Sequence, residues 1–393
     1  MMMHPAHQSL LLFAISGLLA GAGVLIEFVP LPVAYLPFAI ALVLAPSLPH
    51  PRLAVQALVA GHVLWPALIG GWGLIQLGIH PLAAATGGVT MVMLVSAGVA
   101  WLGIGLSALL LAALPVFPAN PLLVTGSILP GAGLWGLIAL PFCVTLIEIQ
   151  RGIGARSVLL LVLLILPRLI LPWADYSARN ESEVAAYEEI DISGDVALTE
   201  LRHWARIMAH VEDGDHIILG ENIFPHDDYA AIFWWCHMVR ERRITAFIGV
   251  QGKTGLQGKT GLGEVWQFDT ETCPEPQPVY RAALGIPMVN GGWWPQNTHV
   301  ARVADAGAPV PEPHWLICFE AFSLWRWVDL ELETSEQDKS RPVVILANDY
   351  WTAPFPTTLL RRKVTRQFAA LFGVEVFHAD RGRTVLKGAL RLN

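Results

Sequence analysis

Charged residues are almost absent from the first 173 positions of this 393-residue chain, and this limits what the chain can fold into. That stretch holds six charged side chains, whereas the other positions hold 51 of the 57. So few charges cannot supply the polar surface of a soluble fold of this length. The sequence therefore predicts a membrane part at residues 1–173 and a polar domain at residues 174–393. The six charged residues of the first part are Glu27, Arg52, Glu148, Arg151, Arg156 and Arg168.

The membrane part divides into six apolar runs, broken by proline, glycine and the few charges. A helix needs about 20 apolar residues to cross a hydrocarbon core of about 30 Å. Most runs reach that length, and the fourth is long enough to cross once or twice. The sequence therefore predicts a transmembrane helical bundle of six or seven spans, as in a multi-pass protein of a bacterial inner membrane. The runs cover residues 9–28, 31–48, 53–75, 82–114, 121–147 and 157–173.

The orientation of this bundle depends on three arginines. Seven spans with a cytoplasmic N-terminus place Arg52, Arg151 and Arg156 on the cytoplasmic side, as the positive-inside rule favours. The polar domain then lies outside the cytoplasm, which is the periplasm in a Gram-negative cell. Six spans place it in the cytoplasm but put Arg151 and Arg156 on the opposite side of the membrane, against the positive-inside rule. We therefore expect seven spans and a periplasmic domain.

The polar domain carries an excess of acidic residues, 30 against 21 basic ones. A protein that binds a phosphate backbone needs clustered lysine and arginine, so direct nucleic-acid binding is not expected. The four cysteines of the chain are scattered and form no CxxC pair. We therefore predict no disulfide, no structural zinc and no cofactor.

Short β-rich runs alternate with amphipathic stretches in this domain, which is typical of an α/β sheet fold. Helices are predicted over 227–243 and 357–372. Strands are predicted over 216–219, 245–250, 265–268, 315–319, 343–346, 374–378 and 384–387.

Polar side chains follow three of these strands, where α/β sheets expose their ligand sites. Glu221 follows the first strand and is a candidate general base. Cys318 ends another strand, with Glu320 two residues later, and an exposed thiol at such a turn is a candidate nucleophile. Asn348 and Trp351 follow a third strand and could line the same crevice. For the cysteine, packing in an apolar core is the alternative.

Five segments carry a recognisable pattern, namely GENIFP (220–225), VYRAALGIP (279–287), LICFEAF (316–322), LANDYW (346–351) and the run from RRKVTRQ to GRT (361–384). Their order resembles the carbon–nitrogen hydrolase, or nitrilase, superfamily. Within it, the chain resembles the apolipoprotein N-acyltransferase branch, and there the conjugal transfer proteins of Ti-type and related rhizobial plasmids. That branch has membrane helices ahead of a nitrilase-like α-β-β-α sandwich, so the resemblance covers nearly the whole chain.

The resemblance implies roles for these residues. Glu221 corresponds to the general base of the family, Cys318 to the nucleophile that forms an acyl thioester, and Glu320 to a supporting carboxylate. The family lysine that stabilises the oxyanion corresponds to Ala282, which carries no charge. Its neighbour Arg281 is the candidate substitute for the lysine.

A second departure is Asn290, which stands at an acidic position of the family motif and would line the pocket. Two hypotheses follow. In the first, the chain is an enzyme that takes an acyl group from a lipid or another acylated or amide substrate. In the second, it is a catalytically reduced accessory of a plasmid conjugation apparatus. In both, the chain is expected to be a monomer.

Overall fold

Prolines begin the long helices of the apolar part. The computed structural model of the chain has helices Pro5–Val24 (α1), Pro51–Gln76 (α4) and Pro81–Leu102 (α5), each with proline at the first position. Proline fits there because the missing N–H has no partner within the helix. Helix α5 ends at Gly103, whose φ of 81° is a conformation that glycine adopts without strain.

The structure describes a large part of the chain, in segments. Its other helices are Leu31–Ala34 (α2), Leu36–Leu44 (α3), Thr125–Ile128 (α6), Gly133–Ile149 (α7), Tyr229–Arg242 (α8), Leu324–Glu333 (α9) and Thr357–Phe372 (α10). Short 3₁₀ turns lie at Ala45–Ser47 and Cys318–Phe322. The described residues are 5–26, 28–76, 79–104, 106–107, 125–150, 154–159, 187–191, 207–225, 227–251, 263–273, 275–282, 313–333, 341–348, 357–380 and 384–388.

The prediction of six or seven spans is wrong for these residues. Two helices are long and apolar enough to cross a membrane, Pro51–Gly73 within α4 and Pro81–Val99 within α5. The run 31–48 breaks into α2, α3 and a turn, each too short to span. The apolar part of α1 and the whole of α7 are also shorter than a span. The length of an apolar run therefore overestimates the length of the helix where proline and glycine interrupt the run.

Glycines bring α1 and α4 into backbone contact. Gly17 and Gly21 lie four residues apart on α1, and Gly61 lies on α4. A Cβ atom added at Gly17 would lie 1.9 Å from the carbonyl oxygen of Leu58, and one at Gly61 would lie 2.2 Å from that of Ala14. Small residues at this spacing let two apolar helices approach closely.

Gly61→Ala is expected to weaken this helix pair. The new methyl group would overlap backbone, which cannot move aside as a side chain can, at a cost of about 1–3 kcal/mol. The measurement is the thermal unfolding midpoint of the full chain in detergent. Gly70→Ala on the same helix is the control, because a Cβ there meets nothing within 4 Å. Since alanine favours helices, this control should be neutral or stabilising, and an equal loss in both variants would contradict the close approach.

The described residues group into two compact units that interleave along the chain. The first comprises 1–176, 322–331 and 350–373, and the second comprises 177–321, 332–349 and 374–393. Helix α10 therefore belongs with the apolar helices. There, Ser127 Oγ donates to Gln367 Oε1 over 2.6 Å, and Lys363 Nζ donates to the carbonyl of Val29 over 2.9 Å.

The second unit contains a six-stranded and a three-stranded sheet. The larger has the order β1-β9-β2-β3-β4-β5 and is mixed, because β2 and β3 are parallel and the other pairs are antiparallel. The smaller, β6-β7-β8, is parallel. The strands are Tyr187–Asp191 (β1), His216–Pro225 (β2), Thr245–Gln251 (β3), Gly263–Phe268 (β4), Gln277–Arg281 (β5), His314–Ile317 (β6), Val343–Ala347 (β7), Val376–Asp380 (β8) and Thr384–Gly388 (β9).

Alternating side chains give the larger sheet two buried faces. On its outer face, Ile217 and Ile248 pack with Trp235 of α8 in what we call the outer core. On its inner face, residues such as Ile218 pack against β6, β7 and β8 in what we call the inner core. The unit therefore stacks a helix and two sheets. The fourth, helical layer of the predicted sandwich is not shown here, because α9 and α10 group almost entirely with the first unit.

Cys236 and Cys273 form a disulfide, so the prediction of none is wrong. Cys236 lies on α8, and Cys273 lies in the turn after β4. They are 37 positions apart in the sequence, but their Cα atoms are 5.4 Å apart. Spacing could not reveal the pair, because only the packing of α8 on the larger sheet brings the two residues together.

Candidate functional site

The backbone turns sharply at Cys318. Strand β6 ends at Ile317, and Cys318 opens the 3₁₀ turn with a φ of 44°. Among the described residues other than glycine, only Cys318 and Arg243 have positive φ. This conformation is costly for a side-chain-bearing residue and is concentrated at functional sites. Cys318 carries a thiol and is 5% exposed, within the inner core.

The carboxylate of Glu320 holds this turn. Glu320 has no exposed surface, and its Oε2 accepts a hydrogen bond from the backbone N–H of Ile317 over 2.9 Å. The same oxygen accepts a hydrogen bond from the Tyr280 hydroxyl over 2.8 Å. A buried carboxylate is tolerated only when it is hydrogen-bonded, so these two donors account for its place. Glu320 therefore ties the Cys318 turn to strand β5.

Glu221 lies at a break in strand β2. The predicted strand ended before Glu221, but β2 continues to Pro225, with a register shift between Leu219 and Phe224. Such irregularities re-aim side chains and are frequent near active sites. Gly249 of β3 makes room for this one: a Cβ added there would lie 2.4 Å from the Gly220 carbonyl oxygen and 2.6 Å from the Glu221 Cα.

The Glu221 carboxylate and the strand before Cys318 meet at Gly263. A Cβ added to Gly263 would lie 3.0 Å from Ile317 Cγ2 and 3.4 Å from Glu221 Oε1. Two groups that flank one atom position are close neighbours. The structure therefore brings the Glu221 carboxylate beside the residue that precedes Cys318, although the two lie on different sheets.

Ala282 lies on the same side of the larger sheet as Cys318. It is 3% exposed, belongs to the inner core, and donates its N–H to the carbonyl of Gly263 over 2.9 Å. The residue that the resemblance aligned with a lysine thus lies in the same buried core as Cys318, but it supplies no charge.

Arg281 points to the opposite face. Its Nε and Nη2 lie 2.7 and 2.6 Å from Glu264 Oε1, and the other Glu264 oxygen accepts from Trp266 Nε1 over 2.8 Å. Trp266 packs against the outer core. Arg281 therefore pairs with Glu264 on the side away from Cys318, and the structure does not bring it to the thiol.

Of the three predicted pocket residues, the structure describes one. Asn348 directly follows β7 and is partly buried, at the same sheet edge as Cys318, which follows the neighbouring parallel strand β6. Asn290 and Trp351 lie outside the described residues.

The residue types of this site, a thiol and a carboxylate, suit nucleophilic catalysis. A carboxylate near a thiol can accept its proton, and the thiolate can then attack an acyl carbonyl. Within the described residues, no group of three or more His, Cys, Asp or Glu side chains is placed to hold a metal ion.

Three residues of this site were absent from the predicted set, namely Gly249, Gly263 and Tyr280. Gly249 interrupts an otherwise apolar strand, and an isolated glycine in a strand often marks a close backbone approach. That signal was present in the sequence. The hydrogen bond of Tyr280 could not be predicted in this way, because its partner, Glu320, lies 40 positions away on another element.

Comparison with known proteins adds no family to this description. No protein-family model matches the chain, and no curated protein matches it.

Proposed function

We propose that this protein is a membrane-associated enzyme that cleaves or transfers an acyl group through a thioester on Cys318, and that it serves plasmid conjugal transfer. The observation that supports this chemistry is that Glu221 Oε1 and Ile317 both lie next to Gly263. Ile317 directly precedes Cys318, where the backbone has a positive φ. The resemblance to nitrilases and to conjugal transfer proteins supports the same assignment.

The reaction has two steps. Glu221 takes the proton of the Cys318 thiol, the sulfur bonds to the acyl carbon, and the amine or alcohol of the donor leaves with that proton. Water or an amine then loses a proton to Glu221 and attacks the thioester. The sulfur–carbon bond breaks, and the thiolate regains a proton. Water as acceptor makes the protein an amidase or esterase, and an amine makes it an acyltransferase.

The two helices that are long enough to span a membrane support a substrate that comes from the bilayer. An apolar acyl donor partitions into the lipid bilayer, where a membrane-associated protein can bind it. The proposed donor is therefore a lipid or an acylated or amide compound. In the proposal the chain acts as a monomer beside the proteins of the conjugation apparatus, without contacting DNA.

The proposed location is the inner membrane of a bacterium, with the second unit in the periplasm. The orientation argument from seven spans no longer applies, because the described part of the chain has two candidate spans. The Cys236–Cys273 disulfide supports the same side on other grounds. Disulfides persist in the periplasm, whereas the cytoplasm keeps most thiols reduced.

Thiol labelling in Gram-negative cells is expected to find this disulfide oxidised. After acid quenching and denaturation, Cys143 and Cys318 should react with a maleimide, and Cys236 and Cys273 should react only after reduction. In cells without the periplasmic thiol oxidase, all four cysteines should react at once. The measurement is the gel shift of the full chain with a high-mass maleimide.

Cys236→Ser is the control, because it leaves Cys273 without its disulfide partner and should expose one more reactive thiol. Reaction of all four cysteines in oxidase-containing cells, with no reductant added, would contradict the periplasmic location.

The second candidate function is that of a non-catalytic accessory of the same apparatus. Ala282 favours it, because loss of a charged oxyanion donor commonly costs about 10²–10³ in rate. The test uses full-length protein in detergent, with fluorogenic esters and amides of short and long acyl chains. A burst followed by steady release supports the enzyme, and an amine acceptor distinguishes transfer from hydrolysis. Absence of both burst and turnover would favour the accessory.

A further inference from the structure

We infer that Tyr280 is a positioning residue for Cys318, acting through the carboxylate of Glu320. This inference rests on the proposed function, because it assigns a role at the same site. The contact on which it is based is the hydrogen bond from the Tyr280 hydroxyl to Glu320 Oε2.

Register places the Tyr280 side chain on the inner face of the larger sheet. Tyr280 pairs with Val265, an inner-core residue, whereas Trp266 pairs with Pro278, so Val279 is an extra residue in β5. Tyr280 packs against the inner core, and its hydroxyl reaches Glu320. Without Val279, the side chains of β5 on one side of that position would each point to the opposite face of the sheet.

Glu320 then transmits this contact to the cysteine. Both hydrogen bonds end on Oε2, one from the larger sheet through Tyr280 and one from the Ile317 N–H of the smaller sheet. The Ile317 N–H is the last donor before the turn at Cys318, whose φ of 44° needs such support. The tyrosine therefore links the sheet that carries Glu221 and Ala282 to the turn that carries the thiol.

The hydroxyl also acts on charge. A carboxylate charge two residues from Cys318 opposes formation of a thiolate, and each donor on Oε2 offsets part of that charge. Hydrogen bonding by Tyr280 reduces that opposition. Removing the hydroxyl should make the thiolate harder to form, whereas removing the charge should make it easier.

His216 shares the inner face of the larger sheet with Ile218, but it begins β2, five residues before Glu221. Glu221 of β2 is the proposed base. His314, His378 and Asp380 alternate with inner-core residues along β6 and β8, so they lie on the other face of the smaller sheet.

The test is the pH profile of Cys318 alkylation by iodoacetamide, read by peptide mass spectrometry on the full chain in detergent. Tyr280→Phe should move the midpoint to higher pH by about half a unit to one unit, the worth of a hydrogen bond to a charged group. Glu320→Gln should move it to lower pH, because the amide keeps an acceptor for both donors and loses the charge. Tyr229→Phe is the control, since Tyr229 is 79% exposed.

Shifts of the alkylation midpoint in opposite directions support the inference. A merely structural role would shift the midpoints of both variants in the same direction or shift neither. No shift, or a shift to lower pH, in Tyr280→Phe would overturn it. Should Tyr280→Phe fail to fold, a shift to higher pH or none in Glu320→Gln overturns it equally.

Alkylation needs no substrate, so this result is independent of whether the wild type turns over acyl donors. Where turnover is found, Tyr280→Phe should lower kcat with little change in KM.

Discussion

Cys318→Ala is expected to abolish acyl transfer. Without the sulfur there is no nucleophile to carry the acyl group, and losing a nucleophile typically costs at least about 10⁴ in kcat. The residue is 5% exposed and packs within the inner core, where alanine is a close replacement in shape, so the fold should persist. The measurement is steady-state release from the fluorogenic donors, with Cys236–Cys273 oxidation as the check of folding.

Cys143→Ala is the matched control, because Cys143 is the other thiol outside the disulfide and lies on α7, away from the site residues in the sequence. It should retain wild-type turnover. Undiminished turnover in Cys318→Ala would remove the thioester from the mechanism and leave the accessory role.

Gly249→Ala is expected to reduce both stability and acyl transfer. The new methyl group would lie 2.4 Å from the Gly220 carbonyl oxygen and 2.6 Å from the Glu221 Cα. Strands β2 and β3 must separate to admit it, at a cost of about 1–3 kcal/mol. Because the displaced residue is the proposed base, a shift of about 1 Å should cost about 10² in rate. The measurements are the urea midpoint and kcat for the full chain.

Val250→Ala separates these two effects. Val250 is the next residue on β3, has no exposed surface and packs in the outer core, so its truncation also destabilises the strand. This truncation should not displace Glu221. Equal losses of kcat in the two variants would mean that Gly249 matters for stability alone.

Local patterns in the sequence were sufficient to locate most elements of the second unit. The helix predicted over 357–372 has those bounds in the structure, and the strand predicted over 245–250 is extended by one residue as β3. Periodicity succeeds here because each element buries one face and its ends carry turn signals. The strand predicted over 315–319 corresponds to β6, which ends at Ile317 just before Cys318, but the strand predicted over 216–219 was too short, because β2 continues past Glu221 to Pro225.

Features that depend on pairing between elements could not be predicted in this way. The irregularity at Glu221 exists because β2 shifts its register against β3, and the disulfide exists because α8 packs over the larger sheet. The side of the sheet taken by Arg281 depends on the extra residue at Val279. A single segment carries no information about any of these partners.

The number of spans was overestimated for a related reason. Hydropathy measures whether a run is apolar, but a span also needs an unbroken helix of about 20 residues. The run 31–48 is apolar throughout, yet it forms a four-residue helix, a nine-residue helix and a turn. Helix α10 lies in the polar part of the sequence, yet it groups with the apolar helices.

The central claim is that Cys318 becomes acylated with the help of Glu221, and peptide mass spectrometry of the trapped intermediate tests it most directly. Full-length protein is mixed with an activated acyl ester, quenched in acid within the burst and digested. We predict an acyl group on the Cys318 peptide that hydroxylamine removes, as it removes thioesters, and at least about 10²-fold slower acylation in Glu221→Gln. An unmodified Cys318 peptide, or equal acylation in Glu221→Gln, would contradict the account.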